Sequence, residues 1–223
     1  MSKELNEPQV VKILLDLFNK VTKGDLIKTS RSGAVLRNSF NDAAKIKDVE
    51  IPWPLVLPDF ILVFEDHSSE RIDEYSIVAV ETKWFKLKNI NDNLRAAYRN
   101  FGQPLRNYIY GFDSVILLHI FDEDVEEDKI KKYTETTKNS IKTLELPMVF
   151  FSIQMFEKRG VQPSNEIFCI YQPIYLNLKS IEYIASYLSR LISGVRNPIF
   201  KNKGHKDEIM KRRAALKVSL NLP

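Results

Sequence analysis

Apolar residues recur along this chain in two rhythms, one of three-to-four residues and one of unbroken short runs. From 8 to 21, Val10, Val11, Leu14, Leu15, Phe18 and Val21 stand at helical spacing, which predicts an amphipathic helix with Pro8 in its first turn and an end near Gly24. Thr29-Ser30-Arg31-Ser32-Gly33 reads as a polar turn, and the segment to Glu50 stays open between strand and irregular structure. Two apolar runs follow, Phe60 to Phe64 and Ile77 to Val80, separated by a polar stretch whose turn is expected at His67-Ser68-Ser69; together they predict a strand pair. Leu94, Ala97, Tyr98, Phe101, Leu105, Tyr108 and Ile109 restore a helical stripe, with a kink or break expected at Gly102 and Pro104. Ser114 to Ile120 predicts a buried strand. A helix through about Leu144 comes next, its first turn supplied by the acids between Asp122 and Asp128, which oppose the positive end of the helix dipole. Strands are then expected at Met148 to Ile153 and Ile167 to Tyr171. A helix at Ile181 to Ile192 has its apolar face at Ile184, Leu188, Leu191 and Ile192. This order of elements predicts an α/β fold with a mixed sheet, and no internal repeat is visible.

Composition narrows the picture. The chain has 223 residues, 44% of them hydrophobic, and its 7 Gly and 10 Pro are scattered, so no linker marks a domain boundary. One domain is expected, with a core at about 4–155 and a C-terminal helical extension at about 156–223. The single cysteine, Cys169, lies in an apolar run and reads as a buried, inert thiol, excluding an internal disulfide and a multi-cysteine zinc site. The first residues lack the apolar stretch of a signal peptide, and no run of eighteen apolar residues exists, so an intracellular, cytoplasmic protein with no membrane association is expected. The net charge of +4 permits nucleic-acid binding without demanding it. Its distribution says more: residues 196–217 carry eight cations against Asp207 and Glu208, whereas residues 122–128 are almost wholly acidic. The basic segment fits either nucleic-acid contact or solubility.

The chemistry gathers around the strand pair. Pro58-Asp59 heads one strand and Glu81-Thr82-Lys83 ends the other. Strand side chains alternate, so Glu81 and Lys83 share a face and Thr82 points away. Two carboxylates and a backbone carbonyl make an oxygen set suited to Mg²⁺ or Mn²⁺. An ammonium beside them can orient a water or stabilise charge developing on a phosphate. The bland alternative is an exposed Glu81–Lys83 ion pair, worth under about 1 kcal/mol, next to an ordinary turn. Arg95, Arg99, Gln103 and Arg106 recur on one helical face and are candidates for phosphate contact, although solvated faces carry the same residues. Trp53 and Trp84 bracket the motif strands; core packing is the default for them, base stacking the alternative. The three histidines share no metal spacing, and no nucleophile elbow, phosphate-binding loop or dinucleotide fingerprint is present.

With these residues the chain resembles the PD-(D/E)XK nuclease superfamily over roughly residues 4–120, and within it the archaeal Holliday-junction resolvases. Glu7 matches the family's helix-borne acid, Ser32-Gly33 the Ser-Gly of the resolvases' active-site loop, Asp59 the motif aspartate, Glu81 and Lys83 the E-x-K pair, and Gln103 a helical glutamine. The resemblance implies a restriction-endonuclease-like core: helix, three-stranded meander, helix, strand. It implies Mg²⁺ or Mn²⁺ on Asp59, Glu81 and the Thr82 carbonyl, with Glu7 assisting and Lys83 activating the attacking water. It further implies endonucleolytic cleavage of duplex, branched or junction DNA by a homodimer. The departures are a longer gap between Gly33 and Pro58, a proline directly after Glu7, and a final hundred residues without counterpart. A nuclease fold that binds DNA or serves as a scaffold without turnover is the alternative from another class.

Overall fold

The first helix begins where the sequence supplies a cap: the Asn6 side chain accepts from Gln9 N at 3.1 Å while Gln9 Oε1 accepts from Asn6 N at 2.9 Å, closing a capping box. This helix, α1 (Glu7–Lys20), opens a computed structural model that describes residues 6–22, 24–69, 71–87, 101–156, 171–175 and 178–223. After it come β1 (Leu26–Arg31), α2 (Ala34–Ile46), β2 (Phe60–Glu65), β3 (Tyr75–Phe85) and the short α3 (Gly102–Arg106), which runs into a 3₁₀ turn at Asn107–Tyr110. β4 (Ser114–Asp122), α4 (Glu127–Thr143), β5 (Val149–Phe156), β6 (Tyr171–Tyr175), α5 (Leu178–Ile192), a second 3₁₀ turn (Pro198–Lys201) and α6 (Lys206–Ser219) complete the order.

The strands form one six-stranded sheet in sequence order. β1, β2 and β3 make an antiparallel meander, whereas β4, β5 and β6 each run parallel to their predecessor. Helices cover both faces, which is why the central strands are apolar throughout rather than alternating. Phe60, Leu62, Phe64, Val78 and Val80 pack beneath α1 and α5. Ile61, Val63, Ile77, Ala79, Val115 and Leu117 pack with Leu36 and Phe40 of α2 and Ala215 and Leu216 of α6. Each fully buried aliphatic or aromatic side chain contributes about 1.5–3 kcal/mol relative to exposure. The described residues include no helix long and apolar enough to cross a membrane.

Several expectations give way. Thr29-Ser30-Arg31 is not a turn but the second half of β1, paired with Ile61 and its neighbours in β2; edge position, with β2 on one side only, lets a polar strand persist. The open segment to Glu50 contains α2, whose buried Leu36, Phe40, Ala43 and Ala44 follow helical spacing. Gly33 offers no side-chain cap there, and two of the four buried positions are alanines, so both start signal and apolar stripe are faint. Gly24 adopts φ +62° three residues beyond the Val21 cap rather than ending α1 itself. Gly102 and Pro104 fall in the short α3, and residues 94–100 of the expected stripe, like Cys169, lie outside the described residues. Residues 167–170 of the strand expected at 167–171 lie outside the described residues, and a strand is described at Tyr171–Tyr175. Trp53, expected in the core, is 91% exposed.

Half of the cations in the basic C-terminal segment are turned inward. Arg213, 3% exposed, donates to Asp113 (Nε to Oδ1, 2.7 Å), to Asp73 and to the Tyr75 carbonyl, and Lys217 reaches Asp73 at 2.8 Å. Arg212 donates to the carbonyls of Glu50 and Ile109 and pairs with Glu208, while Arg196 pairs with the buried Asp66. Four of the eight cations therefore fasten α6 and its approach to the sheet. The backbone approach is close as well. At Gly111, φ +94°, a Cβ would stand 2.5 Å from Arg213 N, so only glycine fits.

Candidate functional site

β3 has eleven residues and β2 six, so β3 overhangs its neighbour. The antiparallel ladder ends at Phe60↔Val80. Were it to run on, Pro58 would stand across from Thr82 and have no N–H to give to the Thr82 carbonyl. On its other side β3 stays paired with β4 as far as Phe85↔Phe121. The overhang thus has one open edge, and carboxylates occupy it. Asp59 Oδ2 accepts from Thr82 N at 2.6 Å and Thr82 Oγ1 at 2.7 Å, and Glu7 Oε2 accepts from Trp84 N at 3.1 Å. The N–H and C=O of one strand residue point to the same side, so the Thr82 carbonyl faces the same open edge. Asp59 Oδ1 accepts no hydrogen bond from a described residue.

Glu81 and Lys83 project from the opposite face to Thr82 and Trp84, toward α3 and the 3₁₀ turn. Glu81 is 2% exposed and accepts from Asn107 Nδ2 at 2.9 Å. Burial pushes its carboxyl up to about 7; the Asn107 hydrogen bond pulls it down, the Asp59 charge adds to the rise, and Lys83 and Arg106 oppose it. Asp59, Lys83 and Arg106 thus all bear electrostatically on Glu81. Across from Lys83 in the parallel register is His119, fully buried with neither ring nitrogen partnered, among Phe85, Phe150 and Tyr133. Burial and the Lys83 charge depress its pKa to about 3, so it stays neutral.

Because Glu81 holds its proton far above the ordinary carboxyl value of 4.5, folding favours its neutral form. That contribution is present below the unfolded value and lost as pH rises through about 7, a change on the order of 3 kcal/mol. Glu81→Gln keeps the neutral form at every pH. In metal-free buffer its melting temperature should therefore exceed that of the wild type by roughly 5–10 °C at alkaline pH, with the gap closing toward pH 5. A difference that does not vary with pH would refute the assignment.

A cleft of about 250 Å³ lies beside the overhang, with Glu7, Arg31, Ser32, Arg37 and Asp59 among its walls. The Ser32 hydroxyl is buried without a hydrogen-bond partner, and Arg31 and Arg37 are exposed and pair with no described carboxylate. Of the residues singled out in the sequence, Glu7, Ser32 and Asp59 share this cleft; Thr82 is tied to it through its hydrogen bonds to Asp59, while Glu81 and Lys83 flank Thr82 on β3 with their side chains on the other face. Arg106 bears on Glu81 from α3, which also carries the half-buried Gln103; Arg95 and Arg99 lie outside the described residues. Asn107, Arg31, Arg37 and His119 were not legible as site neighbours. The two arginines flank Ser32-Gly33, and that flanking was the available signal; Asn107 gave none.

The donor set is all oxygen, carboxylates and a carbonyl, the hard ligands a divalent cation such as Mg²⁺ or Mn²⁺ takes. Among the described residues no group of three or more His, Cys, Asp or Glu is gathered closely enough to hold a metal ion. No family model matches the chain, and no curated protein sequence matches it.

Proposed function

We propose that this protein is a metal-dependent nuclease of the PD-(D/E)XK kind that hydrolyses phosphodiester bonds in DNA. The observation that carries the reading is the β3 overhang, where the charges of Asp59 and Lys83 both bear on Glu81 beside the Thr82 carbonyl and a cleft whose two arginines pair with no described carboxylate. The element order of helix, antiparallel three-stranded meander and a following parallel strand supports it further. Asp59, Glu81 and the Thr82 carbonyl would hold Mg²⁺ or Mn²⁺, with Glu7 at the neighbouring edge position. The ion, when bound, supplies Lewis acidity and lowers the pKa of water. Lys83 orients the attacking water and offsets charge developing on the phosphate, and Arg31 and Arg37 hold the flanking backbone. Glu81, partly protonated near neutrality, gives up its proton on taking a cation.

A nuclease fold that binds DNA without turnover is the second reading, and the presence of all three motif side chains favours the enzyme over it. The assay is incubation with linear, nicked and four-way-junction DNA in Mg²⁺ and in Mn²⁺. Cleavage of at least one substrate is expected; binding to all with cleavage of none transfers the conclusion to the second reading. A two-fold assembly that presents matching sites to two strands belongs to the same proposal, and light scattering with and without DNA measures it.

A further inference from the structure

We infer that Trp53 is a stacking platform for an unpaired nucleobase of the strand that enters the cleft, so that the substrate class is DNA with single-stranded or branched character. The inference rests on the nuclease reading for its geometry and extends it to the shape of the substrate.

The indole is 91% exposed. A tryptophan in water forgoes the largest apolar burial any side chain offers, and a loose loop would be the ordinary explanation. This loop is not loose. Two residues on, Leu55 is 7% exposed in the core against α2 and α6. Tyr110 Oη donates to the Pro54 carbonyl at 2.9 Å and accepts from Val56 N at 3.4 Å, and Arg212 Nε donates to the Glu50 carbonyl at 2.8 Å. Pro52, Pro54 and Pro58 stiffen the same stretch. The ring is therefore displayed on a segment fastened before and after it. That segment leads directly to Leu57, Pro58 and Asp59 in the cleft wall. Five residues of chain separate Trp53 from Pro58, a reach of at most about 18 Å, which corresponds to roughly five stacked nucleotides.

The chemistry of the surroundings selects a nucleic acid. Arg31 and Arg37 offer phosphate-neutralising charge at the cleft and pair with no described carboxylate. A second copy of this chain is a poorer occupant, because the exposed apolar residues Val35 (85%) and Ile46 (80%) on α2 are separated by Arg37, Asn38, Asp42 and Lys45 instead of forming the continuous apolar core of a stable homodimer interface. Stacking on an aromatic platform needs a free base face, and duplex bases cover one another, so the platform discriminates for unpaired bases.

The test uses the full chain in EDTA, where cleavage plays no part, with a short oligodeoxythymidylate and a duplex of equal length. Tryptophan emission should be quenched by the single strand in the wild type, and this quenching should disappear in Trp53→Phe although that variant still binds. Trp53→Ala should bind the single strand about tenfold more weakly, as expected for one lost stacked base, with duplex affinity unchanged. Wild-type affinity of Trp53→Ala for the single strand, an equal loss on duplex, no single-strand binding by the wild type, or a change in sedimentation that reports lost self-association would each overturn the inference. Quenching without any metal-dependent cleavage would sink the nuclease reading and leave this one standing; cleavage with a silent Trp53→Ala would do the reverse.

Discussion

Lys83→Ala should lower the cleavage rate by about 10²–10³-fold or more while leaving DNA affinity nearly unchanged. Lys83 forms no ion pair with a described carboxylate, so its removal does not unpair a partner, and under the proposed nuclease activity its charge would act where negative charge builds during attack on phosphorus. Asp59→Asn should lose rate to a similar degree and lose metal affinity as well. The variant amide oxygen can still accept from Thr82 N and Oγ1, so the strand end keeps its hydrogen bonds while one anionic ligand is gone. Replacing Arg31 and Arg37 by Ala should instead weaken binding and flatten its salt dependence, because backbone contacts act on the ground state. Single-turnover rates, metal titration by calorimetry and binding at several salt concentrations separate the three effects. Equal cleavage by wild type and both site variants would place the activity elsewhere.

Arg213→Met should destabilise the fold by about 3–5 kcal/mol, the penalty for leaving a buried charge without its partner. Asp113 is 1% exposed; burial drives its carboxyl pKa up, and Arg213 is the main group holding it down. Burial likewise raises Asp73, but hydrogen bonds from Arg213 and Lys217 outweigh it and keep that carboxyl below its ordinary range. Once Arg213 is gone, Asp113 either carries an uncompensated charge or takes up a proton, so the loss should be largest at high pH. Asp113→Asn in the same chain should recover part of it, since the amide oxygen can still accept from Ile77 N as Asp113 Oδ2 does at 2.7 Å. Urea unfolding of the single and double variants measures both. A loss below about 1 kcal/mol, in the range of exposed pairs, would show that the network is not worth its burial.

The legible parts of this fold were those whose signal is local. β2 and β3 announce themselves as apolar runs, and a period of two fixes that Glu81 and Lys83 share a face whatever the rest of the chain does. The buried face of α5 follows in the same way from Ile184, Leu188 and Ile192. α2 escaped because its start lacks a capping side chain and half its buried positions are alanines. The polar Thr29-Ser30-Arg31 was misread because strand pairing, a long-range event, overrides local turn preference at a sheet edge. Around the site, Asp59 and Glu81 could be anticipated from their places at strand ends. Their engagement with Thr82 and Asn107 could not, since the direction of a carboxylate depends on the bend at Asp59 and on a buried asparagine 26 residues beyond Glu81. The C-terminal cations show the same limit more sharply. Arg212, Arg213 and Lys217 look like a polybasic tail in one dimension and become internal fastenings once the acids they answer are brought in from afar.

The separation of Asp73 and Arg213 by 140 residues sets a timetable for synthesis. At about 5–20 residues per second, roughly ten seconds pass between the emergence of the aspartate and that of its arginine. For most of that interval, once β4 has been made, β3 and β4 carry Asp113 on a surface that α6 has not yet covered, with Ala79 and Leu117 waiting for Ala215 and Leu216. The nascent protein thus holds its motif residues well before the sheet that orients them is closed. The orientation of those residues thus waits on a helix made long after them.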